Sequence, residues 1–380
     1  MRPYRYLGIC ASGFELSAEQ LLQQMLPDAK REIISSGLIV FKYAGDTSAV
    51  AQLPFFNNVF LILREWQSNT MPFASMIDSS TARSILPSFV QSDSSGISEK
   101  RYFRIRFSRE NKFCSVESRL VDQAERYVGV VTDMRPDRVN PECEFWYIVR
   151  KEPWSCFAFR LTGKQTTEPH PAKGELRPEV VLLMLGMIKF QTTDTAFLDP
   201  FAGHGAIPAQ MITVARKNPD IIVYASDIDD SYISNLKKRF SKEIATGTVQ
   251  VRHSDATSLT WLDSASVDVI VTDPPWGLWN KEQYNSGAKS LANLYRGMLA
   301  EFYRVLSSGG RLCLLTGAKE EFEDAMMRSS FFPQYSVTDN GITDIKNADK
   351  NATPFIRTDV LVNGRKCAVY LLEKNSSFQD

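Results

Sequence analysis

Residues 199–205 read Asp-Pro-Phe-Ala-Gly-His-Gly and follow the apolar run Thr195–Leu198, a pattern typical of a β-strand that leads into a helix near Ile207. Glycines in such a turn let backbone N–H groups approach a ligand at the start of the helix. The turn alone is a weak indication, because many nucleotide-binding units and many ordinary turns contain glycines. The segments that follow it therefore decide the fold class.

Two further apolar runs end in carboxylates. Ile221–Ser226 predicts a strand that ends at Asp227, where an acidic side chain would meet ribose hydroxyls. A third strand begins at Val249 and ends near Asp255. Two carboxylates at successive strand ends suit a nucleoside with a diol and an exocyclic amine better than they suit bare phosphate. The glycine turn also lacks the Lys-Ser/Thr pair of a P-loop.

The apolar run Val267–Thr272 leads into a stiff acidic and aromatic loop, formed by Asp273, Pro274, Pro275, Trp276 and Gly277. Such a loop can hold an aromatic base edge-on, and together with the glycine turn it indicates methyl transfer onto a planar amine. An exocyclic amine is a poor nucleophile, because its lone pair is shared with the ring. Holding both amine hydrogens would localise that lone pair, and alignment in such reactions can contribute roughly 7–11 kcal/mol.

The order of these segments resembles a class I S-adenosylmethionine methyltransferase, and the acidic loop is similar to that of the amino-methylating branch. In that branch the aspartate and a proline carbonyl accept hydrogen bonds from the target amine, while the aromatic ring stacks on the base. The resemblance implies that S-adenosylmethionine is the cofactor. It also implies that the cofactor contacts are Asp199, Phe201, Gly203 and Gly205 for the methionine end, Asp227 for the ribose, and Asp255 with Ala256 for the adenine.

The front half has no strict alternation of strands and helices, which predicts an α+β arrangement. The segments 6–15, 36–41 and 140–145 resemble THUMP-domain RNA methyltransferases. The resemblance implies four regions along the chain. They are a ferredoxin-like region at 1–65, a THUMP RNA-binding domain at 66–163, a linker at 164–178 and a Rossmann-like methyltransferase domain at 179–380.

Positive charge is balanced over the whole chain, with 44 basic and 44 acidic residues, so any contact with nucleic acid must be local. Arg104 and Arg106 alternate with apolar residues in 103–107, which would place both guanidinium groups on one face of a strand. They are the candidate RNA-binding residues. The alternative interpretation is a solvated strand face.

Composition excludes several other classes of protein. A chain of 380 residues with 43% apolar residues is expected to fill two or three domains. No signal peptide and no uninterrupted apolar span of membrane length are evident, so a cytoplasmic protein without membrane contact is expected. The three histidines are far apart and the six cysteines form no Cys-x-x-Cys pair, which predicts neither a metal site nor thiol chemistry.

Within the family, the resemblance implies formation of N2-methylguanosine in tRNA, with any small activating protein partner unknown. His204, Ala206 and Gln210 depart from the family pattern around the glycine turn. Methylation of adenine N6 or cytosine N4 in RNA or DNA is an alternative, and so is an RNA-binding homologue that has lost catalysis. Asp199 and Asp227 could also be helix N-caps, and Asp255 could cap residues 256–259.

Overall fold

The computed structural model describes residues 3–92, 99–163, 172, 174–188, 190–216, 220–277, 290–328 and 356–374. The chain divides into two compact units, of which the first comprises Met1–Cys10 and Glu19–Pro169, and the second comprises Ala11–Ala18 and His170–Asp380. Most of the linker predicted at 164–178 lies outside the described residues. The short segment 11–18 belongs to the second unit, where the Ser12 carbonyl accepts the N–H of Leu361 at 2.9 Å.

The first unit is built on one nine-stranded sheet. Its strands are β1 (Tyr4–Ile9), β2 (Lys30–Ser35), β3 (Leu38–Tyr43), β4 (Asn58–Trp66), β5 (Tyr102–Arg109), β6 (Lys112–Phe113), β7 (Arg135–Pro136), β8 (Cys143–Val149) and β9 (Ser155–Arg160). The strand order is β2-β3-β1-β4-β9-β8-β5-β6, with β7 also beside β5. Strand β5 runs parallel to β7 and β8, and the remaining pairs are antiparallel.

The helices of this part of the chain are α1 (Glu15–Met25), whose first four residues belong to the second unit, α2 (Thr47–Ala51), α3 (Phe73–Arg83), α4 (Leu86–Ser92) and α5 (Ser118–Thr132). The arrangement is the α+β type expected for the front half. One sheet runs through both of the regions proposed there, since β4 pairs with β9. The division into a ferredoxin-like region and a THUMP domain near residue 65 therefore stays a prediction.

The second unit is built on a seven-stranded, mostly parallel sheet. Its strands are β10 (Ala196–Asp199), β11 (Ile222–Asp227), β12 (Val249–His253), β13 (Val267–Thr272), β14 (Leu306–Thr316), β15 (Ile356–Val362) and β16 (Arg365–Glu373), in the order β12-β11-β10-β13-β14-β16-β15. Strands β10 to β14 are parallel, and β16 is antiparallel to both of its neighbours. The predicted α/β, Rossmann-like fold is confirmed.

The helices of the second unit are α6 (Pro178–Met187), α7 (Ala206–Ala215), α8 (Asp230–Arg239), α9 (Ser241–Ala245), α10 (Leu291–Val305) and α11 (Lys319–Met327). The inner strands are apolar runs such as 269–271, which is fully buried, as expected for parallel strands covered on both faces. Tyr295 and Phe302 of α10 and Phe322 of α11 pack into the same core. No helix in the described ranges has the length and apolar character needed to span a membrane.

Asp268 holds the amino-terminal ends of the central strands together. Its Oδ2 accepts the backbone N–H groups of Thr195 and Ala196 at 2.8 and 3.1 Å, and its Oδ1 accepts the hydroxyl of Ser307 at 2.9 Å. The carboxyl ends of the same strands lie on the opposite side of the sheet and can form a binding site. There β10, at the point where the strand order reverses, has β11 on one side and β13 on the other, which is where open α/β sheets bind ligands.

Candidate active site

A cavity of about 830 Å³ lies at the carboxyl edge of the parallel sheet. This volume is typical of a site for a small molecule or cofactor. Most of the residues predicted from the sequence line it, namely Asp199, Phe201, Gly203, Asp227, Asp255, Ala256, Asp273 and Pro275. Gly205, Pro274 and Trp276 are not among its wall residues. The structure therefore brings together carboxylates from three strand ends and one loop around a single space.

The glycine turn connects β10 to α7 in a conformation that needs glycine twice. Gly203 has φ +48°, and its N–H donates to Oδ2 of Asp227 at 2.9 Å. Gly205 has φ +89° and is the N-cap of α7. A Cβ at Gly205 would lie 2.7 Å from Cδ2 of Leu236 and 2.9 Å from Cε2 of Phe240. Gly205 thus allows α7 to approach α8 closely, and its contact with the cofactor stays a prediction.

Asp199 is 1% exposed, and its two carboxylate oxygens have different surroundings. Oδ1 accepts the hydroxyl of Thr272 at 2.9 Å and the backbone N–H of Phe201 at 3.2 Å. Oδ2 is buried and has no hydrogen-bond partner in the described part of the chain. Burial raises the pKa of Asp199 to about 8, and the charges of Asp227 and Asp273 act in the same direction. An unsatisfied buried acceptor costs about 1–3 kcal/mol, which a bound donor or cation would recover.

Asp227 is held by two backbone N–H groups, from Gly203 on Oδ2 and from Asp229 on Oδ1 at 3.0 Å. A carboxylate offers about four acceptor positions, so Asp227 keeps capacity for a hydroxyl donor in the cavity. Burial raises its pKa. Neither this residue nor Asp199 is a helix N-cap, because Gly205 caps α7 and Asp229 caps α8. The capping interpretation of these two carboxylates is therefore wrong.

Asp255 organises a turn rather than a helix. Its Oδ1 accepts both the backbone N–H and the hydroxyl of Thr257, each at 2.8 Å. Residues 256 and 257 form a turn, residues 258 and 259 have no regular structure, and there is no helix here for Asp255 to cap. Ala256 is largely buried and lines the cavity. Contact of Asp255 with an adenine amine stays a prediction.

The acidic loop orients its own carboxylate. The indole N–H of Trp276 donates to Oδ1 of Asp273 at 2.8 Å. Burial raises the pKa of Asp273 to about 7, and the indole contact opposes that rise. The carbonyl of Pro275 accepts the hydroxyl of Tyr295 at 2.8 Å, and this bond holds the backbone of the loop.

The indole of Trp276 rests on Gly317, immediately after β14. A Cβ at Gly317 would lie only 2.7 Å from Cε3 of the ring, so the indole and the glycine are in close contact. The predicted stacking of Trp276 on a base would use ring surface away from this contact. Sequence reasoning missed Gly317, Thr272 and Tyr295. No sequence signal distinguishes them. Gly317 looks like any turn glycine after an apolar strand, and Thr272 and Tyr295 lie in apolar segments in which a hydroxyl residue does not indicate a role.

The departures from the family pattern have distinct positions. His204 and Ala206 line the cavity, whereas Gln210 lies outside its wall. The imidazole of His204 packs edge-on against Tyr232, with ring centres 4.9 Å apart, and Tyr232 is itself a wall residue that the sequence did not reveal. Within the described ranges, no group of three or more His, Cys, Asp or Glu residues is placed to hold a metal ion.

The two candidate RNA-binding arginines lie in the first unit and are largely engaged by protein. Arg104 donates through Nε to Oε1 of Glu144 at 3.0 Å, and Arg160 donates to Oε2 of the same residue at 3.1 Å. The guanidinium of Arg106 lies 4.9 Å from the ring centre of Phe113. With side chains 21% and 35% exposed, Arg104 and Arg106 are not a freely solvated face. Their contact with RNA stays a prediction.

Comparison with known proteins identifies the chemistry of the second unit. Residues 168–341 match the family profile of UPF0020, described as the RMKL-like methyltransferase domain. This part of the chain is therefore a methyltransferase domain, and the resemblance seen in the sequence is confirmed for it.

Curated relatives match a limited part of the chain. A tRNA (guanine(10)-N2)-dimethyltransferase of Methanothermobacter thermautotrophicus is 30% identical over 141 residues, which are 37% of this chain and 38% of that protein. The tRNA (guanine(6)-N(2))-methyltransferase THUMP3 of Mus musculus is 31% identical over 160 residues, 40% of this chain and 30% of that protein. The matches thus span well under half of either relative.

Solved structures match over nearly the full length. TrmN from Thermus thermophilus has a TM-score of 0.70 at 18% identity, covering 97% of this chain and 99% of that one. SMU.472, titled a putative methyltransferase complexed with SAH, has a TM-score of 0.64 at 14% identity and covers 100% of both chains. At these identities the likeness establishes the fold.

Proposed function

We propose that this chain is an S-adenosylmethionine-dependent RNA methyltransferase that forms N2-methylguanosine in tRNA. The observation that carries the proposal is the position of Asp273. Its carboxylate is oriented by the indole of Trp276 and opens into the same cavity as the glycine turn and Asp227. One space therefore combines an acceptor for an amine with a site for a nucleoside. The names of the archaeal and mouse relatives support guanine N2 in tRNA as the target.

The cofactor is S-adenosylmethionine, and the residues present fit it. The cavity has the volume for a nucleoside-sized molecule, the unpartnered Oδ2 of Asp199 suits a cationic or N–H-bearing group, and Asp227 suits a ribose diol. Gly203 and Phe201 provide a wall without bulky polar groups at the methionine end. When bound, the cofactor supplies an electrophilic methyl group on a sulfonium. The likeness to SMU.472, solved with SAH, agrees with this assignment.

The work of this chain in the reaction is positioning. Asp273 accepts one hydrogen of the target amine, and a proline carbonyl of the loop accepts the other, which localises the nitrogen lone pair. The indole contact keeps the Asp273 carboxylate in place, and the bond from Tyr295 to Pro275 holds the loop backbone. Because burial brings its pKa to about 7, Asp273 can also take the proton that the amine loses as the methyl group joins it.

The front regions would deliver the RNA. A guanine inside a helix must leave its stack to reach the cavity, at a cost of a few kcal/mol that the Trp276 ring and the amine contacts would help to recover. We propose that residues 1–65 and 66–163 act as ferredoxin-like and THUMP regions, and that Arg104 and Arg106 contribute positive charge to the RNA contact. The place of action would be the cytoplasm.

The decisive test measures methyl incorporation from radiolabelled S-adenosylmethionine into purified tRNA, ribosomal RNA and DNA, followed by identification of the methylated nucleoside. We expect N2-methylguanosine in the tRNA fraction. Asp273→Asn keeps the size of the side chain but removes its charge, so incorporation should fall at least about 100-fold. Asp263→Asn is the matched control, because Asp263 is exposed and lies outside the cavity wall.

Each other outcome has a definite meaning. N6-methyladenosine or N4-methylcytidine as the only product would contradict the guanine assignment while preserving the amine mechanism. Equal incorporation by Asp273→Asn and by the wild type would remove Asp273 from the reaction. Failure of the wild type to bind S-adenosylmethionine or to methylate any nucleic acid would favour an RNA-binding protein without catalysis.

A further inference from the structure

The turn that follows β14 supports the acidic loop from within the core of the second unit. Thr316 is the last residue of β14 and is fully buried. Its Oγ1 accepts the backbone N–H of Ala318 at 3.0 Å and lies 2.9 Å from the hydroxyl oxygen of Tyr295. Tyr295 belongs to α10 and is also fully buried. The end of an inner strand and a neighbouring helix therefore meet at one pair of hydroxyl groups.

The last acceptor determines the direction of these hydrogen bonds. The hydroxyl of Tyr295 donates to the carbonyl of Pro275 at 2.8 Å, and a carbonyl oxygen can only accept. Because a tyrosine hydroxyl has a single hydrogen, the contact with Thr316 uses the hydrogen of the threonine. The chain of donors thus runs from Thr316 through Tyr295 to Pro275. Hydrogen bonds in such a buried chain strengthen one another.

Tyr295 acts on the loop from outside the cavity. Pro275 is a wall residue of the cavity, whereas Tyr295 and Thr316 are not. The ring of Tyr295 packs edge-on against Phe322 in the core, with ring centres 5.7 Å apart. A different face of the helix and its N-cap line the cavity, through Ser290, Asn293, Leu294 and Gly297. Any effect of the Tyr295 hydroxyl on the reaction must therefore pass through the backbone of the loop.

The same turn supports the loop at a second point. The carbonyl of Pro275 is held through the two hydroxyl groups, while the indole of Trp276 rests on Gly317. The indole in turn donates to Oδ1 of Asp273 at 2.8 Å. Residues 316–318 thus support both the backbone and the carboxylate of the loop, although none of them lines the cavity.

We propose that Tyr295 and Thr316 are positioning residues of methyl transfer, whose hydroxyl chain fixes the Pro275 carbonyl and so sets the place at which the acidic loop holds the target amine. This inference rests on the proposed function, because it requires that the loop bind the amine. Loss of the Tyr295 hydroxyl frees the loop backbone to shift and leaves the glycine turn and Asp227 unchanged. The rate of the bound complex then falls, whereas the affinity for the donor does not.

The test compares Tyr295→Phe with the wild type in methyl incorporation from S-adenosylmethionine into tRNA, in donor affinity by calorimetry and in urea unfolding. Phenylalanine keeps the ring that packs on Phe322 and removes only the hydroxyl. A misplacement of about 1 Å near a reacting group can reduce the rate about 100-fold, so a shift of a few tenths of an ångström should reduce kcat about tenfold. We expect the donor Kd to change less than about twofold.

Tyr370→Phe is the matched control. Tyr370 is fully buried in the same core cluster, contacts the same Phe322 ring and donates its hydroxyl to Glu323 at 2.5 Å. Loss of this bond should lower the free energy of unfolding at least as much as Tyr295→Phe does, because a bond to a carboxylate is the stronger kind. The value of kcat should stay that of the wild type, since this hydroxyl does not bond the loop. A role in stability alone would affect kcat alike in the two variants.

Thr316 provides an independent test in case Tyr295→Phe does not fold. Thr316→Val removes the hydroxyl that donates to Tyr295, and kcat should fall about threefold, less than in Tyr295→Phe because the bond to Pro275 remains. Thr316→Ser keeps the hydroxyl and should have the kcat of the wild type.

The outcomes separate this inference from the proposed function. Full kcat in folded Tyr295→Phe or Thr316→Val, or an equal loss of kcat in Tyr370→Phe, would overturn the inference and leave the proposed function standing. Absence of methyl incorporation by the wild type would refute the proposed function, and the inference with it.

Discussion

Gly317→Ala tests the support beneath the Trp276 indole. Gly317 does not have a positive φ, so alanine introduces no backbone strain. The new Cβ would lie 2.7 Å from Cε3 and 3.0 Å from Cδ2 of the ring. Carbon atoms in contact are normally about 3.5–4.0 Å apart, so the indole must move by about 1 Å. That movement breaks the bond of 2.8 Å to Asp273.

The size of the effect follows from this geometry. A hydrogen bond to a charged group contributes about 1.5–3 kcal/mol, and a misplacement of about 1 Å near a reacting group can reduce the rate about 100-fold. We expect kcat to fall roughly 10- to 100-fold. The indole is only partly buried and can move outward, so the free energy of unfolding should change by less than about 1 kcal/mol.

The assay compares methyl incorporation at saturating donor and RNA with urea unfolding and donor affinity measured on the same preparation. Gly163→Ala is the matched control, because a Cβ there meets no atom within 4 Å. Tryptophan fluorescence or a crystal structure would report the displaced ring. Full kcat in a folded Gly317→Ala protein whose indole has moved would refute the argument that the Trp276 contact orients Asp273.

Two further predictions concern stability and pH. Gly205→Ala combines a left-handed backbone with a contact of 2.7 Å to Leu236, so the free energy of unfolding should fall by about 2–4 kcal/mol in urea titrations. A loss below about 0.5 kcal/mol would contradict the packing role of this glycine. Because Asp273 must be ionised to accept the amine and its pKa is about 7, kcat should rise between pH 6 and pH 8 at saturating donor and RNA. A flat profile, or the same rise in Asp273→Asn, would exclude Asp273 as the titrating group.

The apolar runs were sufficient to predict the parallel sheet. Val267–Thr272 is the strand expected from its sequence, and β10, β11 and β12 differ from their predicted bounds by a residue or two. Strand β14 begins at Leu306, five residues before the start that its apolar run at 311–316 predicts. Parallel strands buried on both faces read as continuous apolar segments, which makes them easy to find. The prediction missed β2 and β15, because Lys30–Ser35 and Ile356–Val362 mix polar and apolar residues at sheet edges.

The roles of individual side chains in the site were harder to predict from the sequence. The turn after β10 predicted two glycines beside a ligand and did not indicate that Gly205 also serves the packing of α7 on α8. The alternating arginines of β5 predicted a charged face, and the partner that engages Arg104 is Glu144, which is 40 residues distant along the chain. Such pairings depend on strand order, which the spacing of charges within one strand does not contain.

Local sequence was enough to indicate three carboxylates at the carboxyl ends of neighbouring parallel strands, because alternating strands and helices bring those ends to one edge of a sheet. The folded chain alone determined their environment. It buried Asp199 with one unsatisfied oxygen between two like charges, placed Gly317 under Trp276, and joined Tyr295 to Pro275. Burial, dielectric environment and contacts across many residues arise from packing in three dimensions, and they control the pKa values and orientations on which the proposed chemistry depends.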